Sequence, residues 1–308
     1  MKKRTILVVV VAIVVVAISI ILTLYFRQKY QNASPNQPEL LTFIYSYGND
    51  QELLNPTSVA ISSKSEIYVV DSRANKILIF NSDFKFVRSF GELGSNDGQL
   101  SYPLAVAVDQ QGKVYVSEIV NYRVQVFSQD GKFLGKFPKD PNSLKAPTAL
   151  TVDNNNNVYV FDKNDQRIKV FDSSGKLLKT FSGEDSEQGP FYFAMGLAVS
   201  PEGEVFVSDS GNSRILVYSE QGKFLREIRP EKSVWINPRG IALDEKGTIY
   251  LTDSLKNFVL ALTSPNLNFK TIRGIDGFSA PDGLAYYDHR LYVVDKGNKR
   301  VAVFQLPK

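Results

Sequence analysis

The sequence predicts an all-β fold, a six-bladed β-propeller, because one short pattern recurs six times along 308 residues. Its clearest copy is FVSDSGNSRILVY, from Phe206 to Tyr218, and related copies begin at Tyr68, Tyr115, Tyr159, Tyr250 and Tyr292. The acidic residue of the pattern stands at Asp71, Glu118, Asp162, Asp209, Asp253 and Asp295, at intervals of 47, 44, 47, 44 and 42 residues. A period in the forties with four short strands in each unit is typical of propeller blades.

Each unit carries signals for four strands in a fixed order. The first strand follows a proline in five units, as in NPRGIALD at Pro238, and proline suits a position where no ladder donor is needed. A glycine-containing turn, such as residues 244–248, leads to the second strand, which ends at the repeated acid. A loop of four to five residues leads to the third strand, and a second turn, such as residues 219–223, leads to the outer strand.

The ring is predicted to close through the segment LLTFIYSYG, Leu40 to Gly48, which resembles a strand without a preceding partner. Residues 43–48 of this segment align with residues 86–91, the fourth strand of the first unit. The last unit stops after its third strand, residues 301–304, and is one strand short. We therefore predict that the N-terminal strand completes the last blade, because an open ring would leave strand edges unpaired.

A membrane anchor is predicted before the propeller. Residues 5–26 are uncharged and rich in Val and Ile, and as a helix they would span about 33 Å, close to a hydrocarbon core of about 30 Å. This run is longer than the apolar region of a cleaved signal peptide, and it lacks a small-residue cleavage site. The chain then divides into a tail (1–4), a transmembrane signal anchor (5–26), a linker (27–39) and the propeller (40–308).

Flanking charge predicts the orientation of this anchor. Lys2, Lys3 and Arg4 precede the apolar run, while Arg27 and Lys29 follow it. The excess of positive charge at the N-terminal side favours a cytoplasmic N-terminus. We therefore expect a single-pass protein of the cell membrane with an extracytoplasmic propeller.

Composition narrows the classes of function. The chain has no cysteine, which excludes disulfides, thiolate metal sites and cysteine nucleophiles. The first 29 residues hold five of the 36 basic residues and no acid, which leaves 31 basic against 32 acidic residues, a net charge of −1. A basic footprint is thus missing from the propeller, and we expect no nucleic-acid partner.

The six units resemble NHL repeats, whose pattern combines a proline, a glycine and an apolar strand with aspartate, glycine, asparagine and arginine. Blade four matches this pattern best, at Gly196, Asp209, Gly211, Asn212 and Arg214. Departures include Glu118 for the aspartate and, in blade five, Lys256 for the asparagine and Phe258 for the arginine. The resemblance covers residues 40–308 and implies a six-bladed fold with a differently built loop in blade five.

The repeated acids admit two interpretations, cation sites or structural residues. A carboxylate at a strand end accepts backbone N–H bonds from a following loop, and an arginine five residues later pairs with it. A residue that recurs in every blade serves the fold, so we assign all six acids a structural role. Packing between blades is also predicted for the apolar residue three before each proline position, at Leu53, Leu100, Leu144, Phe191, Trp235 and Phe278.

Enzyme classes are constrained by the single histidine, His289, which sits in a turn of blade six. A Ser-His-Asp device, or a zinc centre with several histidines as in the NHL-like amidating lyases, is therefore not supported. Lactonases of the gluconolactonase type hold a divalent metal on the propeller axis with oxygen ligands. The axial positions here are Thr57, Leu104, Thr148, Met195, Arg239 and Asp282. One acid beside an arginine predicts an ion pair rather than a metal cage, with axial calcium as the alternative.

The predicted binding site is the face that carries the loops between blades and the loops after the repeated acids. Tyr102, Tyr192 and Phe193 are not explained by the packing series, and with Arg239 and Asp282 they form the candidate ligand-binding set. Aromatic side chains on a concave ring bind a peptide, a glycan or a protein surface. We expect a binding, scaffold or sensor module at the cell envelope, without cofactor or catalytic residues. The alternative is a metal-dependent hydrolase, lactonase or lyase that uses the central channel.

Overall fold

The computed structural model describes residues 39–44, 46–47, 51–185, 189–229, 237–263, 268–272 and 277–307. Apart from Pro307, the described residues belong to one compact unit that begins at Glu39. The predicted tail, the predicted anchor over residues 5–26 and nearly all of the linker lie outside the described residues. Within the part that is described, no helix is long and apolar enough to cross a membrane.

Three strands precede the first complete blade, and they are β1 (Glu39–Ile44), β2 (Ser46–Tyr47) and β3 (Gln51–Glu52). The blades that follow are antiparallel four-stranded sheets with their strands in the predicted order. Blade one contains β4 (Pro56–Ile61), β5 (Ile67–Asp71), β6 (Lys76–Phe80) and β7 (Phe86–Phe90). Blade two contains β8 (Pro103–Val108), β9 (Val114–Glu118), β10 (Arg123–Phe127) and β11 (Phe133–Phe137). Blade three contains β12 (Pro147–Val152), β13 (Val158–Asp162), β14 (Arg167–Phe171) and β15 (Leu177–Ser182).

The second half of the ring repeats this arrangement. Blade four contains β16 (Ala194–Val199), β17 (Val205–Asp209), β18 (Arg214–Tyr218) and β19 (Phe224–Ile228). Blade five contains β20 (Pro238–Leu243), β21 (Ile249–Asp253), β22 (Phe258–Thr263) and β23 (Asn268–Ile272). Blade six contains β24 (Pro281–Tyr287), β25 (Arg290–Asp295) and β26 (Arg300–Gln305), together with β1. The prediction of a six-bladed all-β propeller is confirmed.

The core consists of six apolar layers, one between each pair of neighbouring blades. The second and third strands are buried on both faces, which explains why they read as continuous apolar runs rather than alternating ones. The layer between blades one and two brings Ile77 together with Val116. The layer between blades six and one brings Val301 together with Val69, so the packing runs around the whole ring.

The apolar series before the proline positions packs as predicted. Its members in five blades are buried in the layers between blades, and they are Leu53, Leu100, Leu144, Phe191 and Phe278. The sixth member, Trp235, lies outside the described residues. Each of these buried residues packs a loop between blades against the core, just before the first strand of the next blade begins.

Closure by the N-terminal strand is confirmed, because β1 pairs antiparallel with β26 at the edge of blade six. The register differs from the sequence alignment by three residues. Ile44 lies opposite Val301 in blade six. The corresponding pair in blade one is Phe90 opposite Ile77. The sequence alignment matched Phe90 with Tyr47, three residues after Ile44. The predicted strand over residues 40–48 ends early because β2 turns away and pairs with β3.

Loss of β1 should destabilise the whole domain, because it leaves the edge of β26 unpaired. We expect a chain that starts at Asn49 to melt about 10 °C below one that starts at Asn36, given the loss of several ladder hydrogen bonds. Thermal unfolding followed by circular dichroism measures this difference. Equal melting temperatures for the two chains would contradict closure through β1.

Candidate functional site

One face of the ring carries the loops between successive blades and the loops between second and third strands, and we call it the upper face. The repeated acids lie directly beneath it. All six are buried, and each accepts at least one backbone N–H hydrogen bond, at Asp71, Glu118, Asp162, Asp209, Asp253 and Asp295. In five blades the donor stands two residues before the proline position, at Leu54, Ser101, Lys145, Tyr192 and Ser279. The acids thus hold the loops of the upper face to the sheets.

Blade four shows the complete arrangement around Asp209. One carboxylate oxygen accepts the Tyr192 N–H at 2.6 Å, and the other accepts from Asn212 at 2.8 Å and from Arg214 Nε at 2.7 Å. Arg214 is only 2% exposed and also donates to the carbonyl oxygens of Gly189 and Pro190. The acid, amide and guanidinium together clamp the loop that leads into the blade.

Blades three and five depart from this arrangement. In blade three the partner of Asp162 is Lys169 at 2.8 Å rather than Arg167, the residue five positions after the acid. Lys169 lies two residues after Arg167 on the same strand, so its side chain emerges on the same side of the sheet as that of Arg167. From there it reaches the carboxylate of Asp162. In blade five Phe258 replaces the arginine, and one buried oxygen of Asp253 has no hydrogen-bond partner among the described residues. The expectation of a differently built loop in blade five agrees with this contact pattern.

The axial channel runs between the first strands of all six blades and forms a cavity of about 340 Å³. Its lining includes the residues that directly follow the proline positions, namely Thr57, Leu104, Thr148, Met195, Arg239 and Asp282. Tyr102 and Lys296 also line it. The prediction that the six positions face the channel is confirmed.

Three charged side chains meet at the upper end of the channel. Arg239 Nε lies 3.1 Å from Asp282 Oδ1 and Arg239 Nη2 lies 3.2 Å from Oδ2, which makes the predicted ion pair bidentate. Lys296 Nζ lies 3.0 Å from the same Oδ2. Two cations therefore share one carboxylate, and the group carries a net charge of +1. Asp282 is nearly buried, while the side chains of Arg239 and Lys296 are 26% and 29% exposed.

Sequence reasoning missed Lys296, although the repeat carries a signal for it. Lys296 directly follows the repeated acid, and the corresponding residues of blades one and four are Ser72 and Ser210. Both serines donate to the carbonyl oxygen of the next blade's first strand residue, at Pro103 and Pro238. In blades one, four and six the residue after the acid therefore reaches toward the first strands around the axis.

The hydroxyl groups of the channel mouth differ between blades. Thr57 donates to the Leu104 carbonyl at 2.9 Å and lies 2.9 Å from the Ser72 hydroxyl. Thr148 holds the same position in blade three, but Lys163 stands there in place of the serine. The Thr148 hydroxyl is buried and has no hydrogen-bond partner among the described residues.

The lower part of the channel is apolar, with Val152, Val199 and Leu243 in its wall. Tyr286 also contributes to this wall and donates to Glu245. Burial, and next the hydrogen bond to Glu245, raise the pKa of the Tyr286 phenol above its usual range, so the phenol itself stays protonated near neutral pH. His289 lies in the adjoining turn of the lower face, with Nδ1 3.5 Å from the Tyr286 hydroxyl.

The three candidate aromatic residues occupy two places on the upper face. Tyr102 lines the channel. Tyr192 and Phe193 instead pack on each other with ring centroids 4.6 Å apart, and Lys163 Nζ lies 5.3 Å from the Phe193 ring centre. Tyr102 and Phe193 have φ of 52° and 56°, a left-handed conformation that is rare for bulky residues. The structure brings together Tyr102, Arg239 and Asp282 along the channel and leaves the other two aromatic residues outside its lining.

Exposed apolar side chains are distributed unevenly between the two faces. Among the described residues, eight large ones lie in upper-face loops, and they are Leu54, Leu93, Tyr102, Val120, Tyr122, Tyr192, Phe193 and Leu255. Five more lie on outer strands, and they are Val87, Leu134, Leu177, Leu178 and Leu225. The described lower-face turns carry none. The most exposed are Leu93 at 70% and Leu255 at 76%.

The side chains that are described do not fit an axial divalent metal. Nowhere in the described ranges do three or more His, Asp or Glu residues form a group that could hold a metal ion. Asp282 is the one carboxylate in the described channel lining, and both of its oxygens accept from cationic side chains. A hard cation would have to displace Arg239 and Lys296 and would find no second carboxylate there.

Comparisons with known proteins agree with the fold. The NHL repeat family model matches residues 191–218, the loop into blade four and its first three strands. A comparison with curated protein sequences finds no match. Among solved structures, a catalytically inactive virginiamycin B lyase from Staphylococcus aureus with quinupristin is 15% identical, with a TM-score of 0.62 over 90% of this chain and 98% of that one. A gluconolactonase from Xanthomonas campestris is 13% identical, with a TM-score of 0.65 over 89% and 96%.

The acid of blade four should contribute more stability than the acid of blade five. Asp209→Ala leaves Arg214 buried without its carboxylate, which costs about 3–5 kcal/mol and lowers the melting temperature by about 10 °C. Asp253→Ala removes two backbone hydrogen bonds but strands no cation, so its cost should be about 1–3 kcal/mol. Denaturant unfolding of both variants makes the comparison. An Asp209→Ala variant as stable as the parent would contradict the structural role.

Proposed function

We propose that this protein is a binding module whose upper face recognises a protein partner through apolar contacts. The observation that supports this proposal is the one-sided distribution of exposed apolar side chains. Monomeric proteins expose scattered apolar residues, but a concentration on one face marks an interaction surface. The repeated acids beneath this face hold its loops in place, which lowers the ordering cost of binding.

The chemistry of this face favours a protein over a glycan. A sugar ring stacks on aromatic side chains such as Tyr192 and Phe193 and hydrogen-bonds to polar neighbours. Leu93, Val120 and Leu255 offer neither contact, since their side chains are aliphatic and more than half exposed. Aliphatic and aromatic side chains together suit the apolar centre of a protein interface.

The proposed location of this module is the outer side of the cell membrane. This part of the proposal rests on the apolar run over residues 5–26 and on the basic residues before it. Protease is added to cells whose outer layers it can pass but whose cell membrane is intact. It should then digest the propeller and spare a fragment that contains the first residues. Full protection of the propeller until the membrane is opened would contradict this orientation.

Catalysis in the axial channel is the second candidate function. Solved structures with this fold include a lyase and a gluconolactonase by their titles, and here three charged side chains meet beside a cavity of about 340 Å³. Against this candidate, Asp282 is occupied by two cations, and His289 lies in a turn of the lower face. No unpaired general base lines the described part of the channel mouth.

Cross-linking tests the proposed upper-face partner directly. We expect a photoreactive residue at position 93 or 255 of the full chain to give one protein adduct of defined mass in cells. The same residue at position 134 or 225, on outer strands, should give none. Leu93→Ser and Leu255→Ser should each weaken capture of that partner by about tenfold, as expected for loss of one apolar contact.

Two results would contradict this proposal. Equal adducts from all four positions would mean that the upper face has no special role. An adduct that consists of carbohydrate without protein would replace the proposed partner by a glycan.

A further inference from the structure

We propose that the mouth of the axial channel is a binding site for a carboxylate group. The inference starts from hydrogen-bond donors that lack acceptors. Arg239 uses Nε and Nη2 on Asp282, and Lys296 uses one of its three N–H bonds on the same carboxylate. Arg239 Nη1 and the other Lys296 protons have no acceptor among the described residues, although both side chains border the cavity.

Charge selects an anion as the missing acceptor. The two cations and one carboxylate sum to +1, and the other described side chains that line the cavity are neutral. A single carboxylate would balance this charge and accept from the planar guanidinium and the ammonium together. A cation would meet a site of its own sign.

The Thr148 hydroxyl is a further unpaired polar group among the residues that line the channel. Thr148 is 6% exposed and lines the cavity, and its hydroxyl has no partner among the described residues. Leaving a buried hydroxyl unpaired costs about 1–3 kcal/mol, and its counterpart Thr57 avoids this cost with two contacts.

The walls define the rest of the ligand. Leu104 and Met195 stand among the polar residues of the mouth. Further along the channel, Leu150 on β12 and Leu197 on β16 contribute to an apolar wall. A cavity of about 340 Å³ is at the small end of ligand sites. The site thus suits a short carboxylate with an apolar tail, either a free organic acid or the C-terminal end of a peptide.

Calorimetric titration of the full chain with butyrate and with its neutral counterpart butyramide tests this site. We expect saturable binding of one butyrate and at least about tenfold weaker binding of butyramide. A tripeptide with a free C-terminal carboxylate, compared with its C-terminal amide, shows whether the carboxylate belongs to a polypeptide. Binding of the free-acid tripeptide alone assigns the site to a chain end.

The variants assign the binding to the named side chains. Arg239→Gln and Lys296→Gln should each weaken butyrate, or the tripeptide, by about tenfold. Arg226→Gln is the matched control, because Arg226 also makes a bidentate pair, with Glu204, away from the channel. Thr148→Val should leave the affinity unchanged without lowering the melting temperature, since it removes an unpaired hydroxyl that has almost no accessible surface.

Asp282→Asn tests whether positive charge at the channel mouth favours binding. Removing the carboxylate raises the local charge to +2, so the affinity for an anion should rise severalfold. Absence of saturable binding by both butyrate and the tripeptide would overturn the proposal, as would binding that Arg239→Gln and Lys296→Gln leave unchanged. Weaker binding in Asp282→Asn would also overturn it. The site does not depend on the proposed upper-face partner, whose cross-links are measured separately.

Discussion

Closure of the ring is the constraint on which the rest of the structure depends. The apolar layer between blades six and one, and the pairing of β1 with β26, join the two ends of the repeat. Only a closed ring brings six first strands around one axis. Arg239 and Asp282 are 43 residues apart and belong to different sheets, yet the packing of blade five against blade six places them in a bidentate pair. The channel mouth is thus a product of the whole domain rather than of any one blade.

The repeated acids hold the loops of the upper face in place on the ring. Each carboxylate fixes a loop from below through backbone N–H groups, so the loop side chains need not pack inward to be held. Exposed residues such as Leu93, Val120 and Leu255 can therefore serve recognition without weakening the core. The lower face uses its turn acids differently. Asp109, Asp153 and Asp244 accept hydrogen bonds from buried tyrosines of the second strands, which closes that face with polar pairs.

The repeat made the blades, the strand order and the axial positions predictable, because the spacing of the prolines, turns and acids can be read from the sequence alone. The register of β1 was not predictable in the same way, since the competing hairpin of β2 and β3 decides where β1 ends. The choice of Lys169 over Arg167 as the partner of Asp162 depends on side-chain direction within one strand. Lys296 was within reach of the repeat, since it directly follows the repeated acid of blade six, but its contact with Asp282 depends on the length and direction of its side chain. The missing partner of the Thr148 hydroxyl is a property of the folded structure, and the repeat pattern does not indicate it.

The central claim is that the channel and upper face recognise partners without a catalytic metal, and calcium titration tests it most directly. Metal analysis of the purified full chain would be combined with thermal unfolding over a range of calcium concentrations. The account predicts less than one equivalent of bound metal and an unchanged melting temperature. A stoichiometric metal that raises the melting temperature as mass action requires, and that is lost in Asp282→Asn, would contradict it.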